Sequence, residues 1–137
     1  MSDPMPSMSA AAPHVDESLI TYTHVIYALH ALAVLIGLTT MHTVVLSFVG
    51  GLPSIIAVVM NYARRSATAG TFLESHFRWQ IRTFWYALLW ALVCGVLIVS
   101  IIGILLGFIG LAALGLWIIY RVLRGWLALR DRRPMYV

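Results

Sequence analysis

The chain has 137 residues, of which 61% are apolar and only 10% charged, a composition outside the range of water-soluble globular domains. Its formal net charge of +4 comes from nine basic residues, all of them arginine, against five acids. In a soluble protein that balance would suggest nucleic acid. Here the arginines flank apolar runs, which assigns them to membrane topology and anionic lipid headgroups and argues against a nucleic-acid partner.

No Asp, Glu, Lys or Arg occurs from Ser18 to Ala63 or from Thr83 to Tyr120. As helix these windows would measure roughly 69 and 57 Å, about twice the ~30 Å of bilayer hydrocarbon, so each accommodates two crossings. The expected fold is all-α: one integral membrane domain of four helices over residues 18–130, between an N-terminal tail at 1–17 and a basic C-terminal tail at 131–137.

Residues 1–17 carry prolines and small polar residues without helical periodicity and read as a disordered cytoplasmic tail. With no Lys or Arg there and a long apolar window behind, no cleavable signal peptide is expected. Asp16, Glu17 and Ser18 supply capping and acidic groups for a first helix over about 19–38.

A second helix is expected over about 42–63. Gly50, Gly51 and Pro53 predict a break inside it, because proline lacks an amide hydrogen and crowds the carbonyl four residues back. The alternative is one long first helix ending near Val49, with Pro53 opening a short second one.

Thr71, Phe72, Leu73 and Glu74 form a capping-box pattern, predicting an interfacial helix over 71–83 that runs into the third crossing. Glu74, Arg78 and Arg82 recur every four residues on one stripe, beside an apolar stripe of Leu73, Phe77, Ile81 and Phe84. Trp79 and Trp85 add amphipathic rings. Phe72, Glu74, Arg78, Trp79, Arg82 and Trp85 are therefore candidates for binding lipid or a partner, and the bland reading of the same segment is an anchor that sets the depth of helix three.

Helices three and four are expected over about 84–100 and 103–120, with a turn between Ser100 and Gly107. Gly103, Gly107 and Gly110 are candidates for close helix packing, or in part for the turn itself. Cys94, alone in an apolar run, reads as packing. Beyond Tyr120, Arg121 and Arg124 can snorkel toward headgroups and Trp126 marks the interface, completing the lipid- or partner-binding candidates.

Four arginines fall between helices two and three and five after helix four, while the other two turns are uncharged. An even number of crossings puts both basic regions and both termini on one side, which the positive-inside rule makes the cytoplasm.

Little in the sequence points to catalysis. The absence of acids within the spans disfavours ion-coupled transport. His30 and His42 could in principle ligate haem, but the helical rise would separate them by about a dozen ångströms in depth. A bond from His30 to Tyr27 or to a neighbouring helix is the simpler expectation. Glu74 and His76, two apart on a helix, face different directions and make a poor acid–base or metal pair. No catalytic residue, metal or cofactor is expected.

The run Asn61-Tyr62-Ala63-Arg64-Arg65, the run Gly70-Thr71-Phe72-Leu73-Glu74-Ser75-His76-Phe77-Arg78-Trp79-Gln80-Ile81-Arg82-Thr83-Phe84-Trp85, and the tail from Ile118 to Tyr136 resemble a family of uncharacterised small bacterial inner-membrane proteins. With Tyr27-Ala28-Leu29-His30-Ala31-Leu32, the resemblance covers nearly everything after residue 20. The family is distantly likened to the four-helix chloroplast inner-envelope protein-import channel subunit, which implies architecture rather than activity. The chain departs from the family where Arg64-Arg65 is followed by Ser66-Ala67 instead of acids.

The combined expectation is a non-enzymatic inner-membrane protein, accessory or assembly-related, that associates with lipid, a membrane complex or itself. The alternatives are an oligomeric channel or translocation component and a haem-binding redox protein.

Overall fold

The computed structural model describes the backbone of residues 14–39 and 44–136, and side chains of residues 14–37 and 51–136. The described residues form α1 (Glu17–Thr39), α2 (Val44–Arg64), a 3-10 turn (Arg65–Thr68), α3 (Phe72–Val99) and α4 (Ile104–Arg130), with no strand among them. Among the described residues, three segments are long and apolar enough to cross a membrane: Glu17–Gly37, Phe72–Val99 and Ile104–Arg130.

Local chemistry sets the helix ends. Asp16 accepts the amide (3.0 Å) and hydroxyl (2.7 Å) of Ser18, so α1 starts at an acidic cap. At the head of α3, Gly70 has φ +74, a conformation that glycine adopts without a Cβ penalty. The chain then turns into Thr71, whose hydroxyl caps the helix. The end of α4 is a Schellman motif: the Arg133 amide donates to Ala128 O (2.9 Å), and the Arg132 amide to Leu129 O (3.0 Å). Arg132, at φ 52, occupies the left-handed position usually given to glycine.

The helices pair as two antiparallel hairpins. In the first, Tyr22 donates to Met60 O (3.0 Å), Ile26 and Ala57 share a buried cluster, and His30 Nδ1 lies 3.1 Å from Ser54 Oγ. In the second, Trp79 meets Arg121 near one end, and Cys94 and Ile98 meet Gly107 toward the other. The hairpins join through α1 and α4, where Tyr27 packs on Gly125 and Trp126 donates to His24 Nδ1 (3.1 Å).

One buried cluster, of Leu19, Ile20, Tyr27, Leu73, Val122 and Leu129, gathers at the end that holds the arginines. At the other end the α3–α4 turn is bare, with Ile101 92% and Ile102 96% exposed. Along the flanks Val59, Leu89, Val96, Leu105 and Leu116 also face outward, as side chains do where the surroundings are hydrocarbon.

Several sequence expectations need revision. Helix four does not stop at Tyr120 but runs to Arg130. Bilayer thickness limits the apolar stretch, not the helix, and the added residues are mostly Arg, Leu and Ala, good helix formers, with Val122, Gly125 and Leu129 packed inward. Phe72 to Val99 is one continuous helix, as expected where the segment capped at Thr71 runs into the third crossing. Helix two keeps helical geometry through Gly50, Gly51 and Pro53, so the expected break is absent. A proline at 53 removes only one ladder bond, and the packing of α2 along α1 holds the helix across that gap. The long-first-helix alternative is excluded, because α2 runs antiparallel to α1, with Tyr22 against Met60 and His30 against Ser54. The third turn occupies Ser100 to Gly103. Most of the expected tail at 1–17, and His42, lie outside the described residues.

Candidate functional site

The first turns of α3 carry most of the polar chemistry. Thr71 Oγ1 accepts the Leu73 amide (3.3 Å) and Glu74 accepts the Gly70 amide (3.0 Å). The bonds are displaced from the ideal capping box, but both partners still serve the helix terminus. Glu74 also pairs with Arg78 at 3.0 Å across one turn. Both side chains are well exposed, so this pair orients the stripe more than it stabilises it.

The inward face of the same turns is lined by Leu73, His76, Phe77, Gln80 and Thr83, all buried. His76 is the centre of a network between three parts of the chain. Its Nδ1 lies 2.9 Å from the Tyr27 hydroxyl on α1, and its Nε2 lies 2.7 Å from the carbonyl of Arg133. A carbonyl can only accept, so Nε2 carries a proton; the phenol donates to Nδ1, and a neutral imidazole satisfies both bonds. Phe72 and Tyr27 approach the imidazole edge-on. Beside this network the Met135 amide donates to Ser75 Oγ (2.8 Å), and Met135 itself is buried. The segment after α4 therefore folds back over the start of α3.

On the α3–α4 seam, Trp79 donates to Arg121 O (3.1 Å) while the Arg121 guanidinium lies 3.4 Å from the centre of the Trp79 ring. Arg121 Nε donates to Thr83 Oγ1 (2.7 Å) and Nη2 to Trp79 O (3.3 Å). These bonds hold Arg121 within the seam rather than leaving it extended toward headgroups. Arg124, one turn on, bonds the Tyr120 hydroxyl and stays exposed.

The candidates named from sequence thus divide. Trp79, Arg121 and Arg124 come together in the seam. Trp126 pairs with His24, and Phe72 packs on His76. Trp85 is outward-facing and donates to the Tyr62 hydroxyl of α2 (3.0 Å), while Arg78 and Arg82 are exposed. Gly107 and Gly110 abut α3: a Cβ would come within 2.5 Å of Ile98 Cγ1 and 2.9 Å of Cys94 O at Gly107, and within 2.7 Å of Cys94 Sγ at Gly110. Gly103 belongs to the turn, where a Cβ would meet Leu97 O at 2.7 Å.

Sequence reasoning missed the inward roles of Tyr27, His76 and Gln80. The available signal was the spacing Leu73, His76, Gln80 and Thr83, which keeps these residues on one face at helical intervals. Gln80 and Asn61 are buried with side-chain amides unpartnered, as is Nε2 of His30.

Electrostatically, the same end of the molecule is basic. Arg64, Arg65, Arg82, Arg121 and Arg124 have no carboxylate pair among the described residues, whereas Arg132 holds Glu17 at 2.7 and 2.9 Å. Asp131, outside the spans, is held below the usual aspartate range first by its hydrogen bond from Arg133 and then by that from Arg130. The Ser18 hydroxyl and amide do the same for Asp16. Among the described residues no group of three or more His, Cys, Asp or Glu side chains converges as metal ligands would.

No protein-family model, curated protein or solved structure matches this chain.

Proposed function

We propose that the chain is a non-enzymatic protein of the bacterial inner membrane that crosses four times, with both termini cytoplasmic, and acts as an accessory or assembly component by associating with lipid and membrane proteins. The observation that carries this reading is the polarity of the helix array. The arginine-bearing turns of α2, α3 and α4 lie at one end, tied by Arg132–Glu17 and His76–Arg133, and the opposite end offers Ile101 and Ile102.

The fourth crossing is supported by the 21 residues of α2, about 31 Å of helix by rise, aligned antiparallel to α1. An interfacial role for the first three turns of α3 is supported by the exposed Arg78 and Arg82 on a helix whose later turns are apolar. The resemblance of the Asn61–Trp85 and Ile118–Tyr136 runs to small bacterial inner-membrane proteins favours the same assignment.

Extraction in mild detergent followed by native co-purification tests the association. A species larger than one chain, or a stoichiometric membrane partner, is expected, and replacing Arg78, Arg82 and Trp85 by alanine should reduce it. Recovery of monomers alone would refute it. Solute flux through liposomes that tracks an oligomer would instead favour the channel reading.

A further inference from the structure

Two grooves flank the arginine end of α4. The larger, about 500 Å³, lies between the outward face of that helix and the returning C-terminal segment, with Tyr120, Leu123, Arg124, Leu127, Arg133 and Tyr136 in its walls. The smaller, about 390 Å³, is lined by His24, Leu123, Trp126, Leu127 and Arg130. Leu123 and Leu127 belong to both, so the grooves run on either side of one apolar ridge.

We propose that this pair of grooves is a binding site for one anionic diacyl phospholipid, with its phosphate between Arg124 and Arg133 and its two chains astride the Leu123–Leu127 ridge. The proposal rests on the membrane reading above and names the ligand of its basic face.

Charge selects the headgroup. Three arginines, at 124, 130 and 133, face the grooves or their rim, and Asp131 is the acid placed among them. Asp131 engages one nitrogen of Arg133 (2.8 Å) and one of Arg130 (3.3 Å), leaving further donors on each guanidinium. No carboxylate pairs with Arg124 among the described residues, and the Tyr120 hydroxyl orients it. A planar guanidinium with free donors is suited to bidentate contact with phosphate oxygens.

Shape selects the rest of the molecule. Below Arg124 the outward wall continues as exposed Leu123 and Leu116, an apolar track leading away from the basic end. Tyr120 and Tyr136 put phenol rings at headgroup level, where amphipathic rings are favoured. A free phosphate would use none of this apolar wall, and a single-chain amphiphile only one side of the ridge.

The test is native mass spectrometry of the full chain, extracted in mild detergent and equilibrated with vesicles of either phosphatidylglycerol or phosphatidylcholine. One phosphatidylglycerol per chain is expected to survive delipidation, with phosphatidylcholine at least tenfold less retained. Arg124→Gln with Arg133→Gln should lower that retention tenfold or more. Arg64→Gln with Arg65→Gln removes equal charge at the same end but outside the grooves and should leave it unchanged. Equal loss in both double variants, equal retention of the two lipids, or displacement by millimolar inorganic phosphate would overturn the site. The same spectra report assembly: a lipid-bearing monomer supports the site and refutes association, whereas an oligomer that retains no lipid does the reverse.

Discussion

Tyr27 touches both halves of the network at the arginine end, its hydroxyl on His76 and its ring against Gly125. Tyr27→Phe keeps the ring and strands His76 Nδ1 without a donor, an expected loss of about 1 kcal/mol, given the ~1 kcal/mol typical of such bonds in water and the somewhat lower values found in membranes. Gly125→Ala would bring a Cβ within 2.6 Å of Tyr27 Cε1, and overpacking of that kind costs about 1–3 kcal/mol. Thermal unfolding of the detergent-solubilised protein checks both, with the glycine variant expected to fall further. Asp131 gives a pH dependence. Its folded pKa lies below the unfolded value, so its contribution is complete above the unfolded aspartate range and is lost as pH falls through the folded value. Carboxyl carbon NMR should place its midpoint below that of a free aspartate, and Arg133→Gln should move it upward. At this scale the i, i+4 pair Glu74–Arg78 was legible from sequence because both partners lie one turn apart. Tyr27–His76 was not, because 49 residues separate its partners and only the fold brings them together.

Between elements, the seam of α3 and α4 depends on residues without side chains. Gly107→Ala or Gly107→Val places atoms against Ile98 and Cys94, whereas Gly95, with open space around a Cβ, should accept alanine with little change. The expected difference is about 1–3 kcal/mol in favour of Gly95→Ala, measured as the gap between the two unfolding midpoints. Small residues at intervals of four and three marked the seam in the sequence, but not which of them faced α3 and which made the turn. Helix ends were legible where a cap is chemically specific, as at Thr71, and illegible where only polarity changed. Arg121 through Arg130 read as the exit from the bilayer and is three more turns of α4, since ending an apolar run does not end a helix.

For the molecule as a whole, topology is the property most open to measurement. With Cys94→Ser removing the native thiol, Ser66→Cys is expected to resist a membrane-impermeant maleimide in intact spheroplasts and to react once the membrane is opened. Ile101→Cys should do the opposite, and the reverse pattern would invert the proposed orientation. The all-helical, apolar character of the chain, the end of the array that bears the arginines and the capped start of α3 are consequences of composition and spacing, because apolar residues cannot stay in water and short-range hydrogen bonds follow local sequence. The Tyr27–His76–Arg133 network, the seating of Arg121 on Trp79 and the grooves beside Leu123 and Leu127 were decided only by tertiary packing, because each needs side chains from distant turns at one point in space.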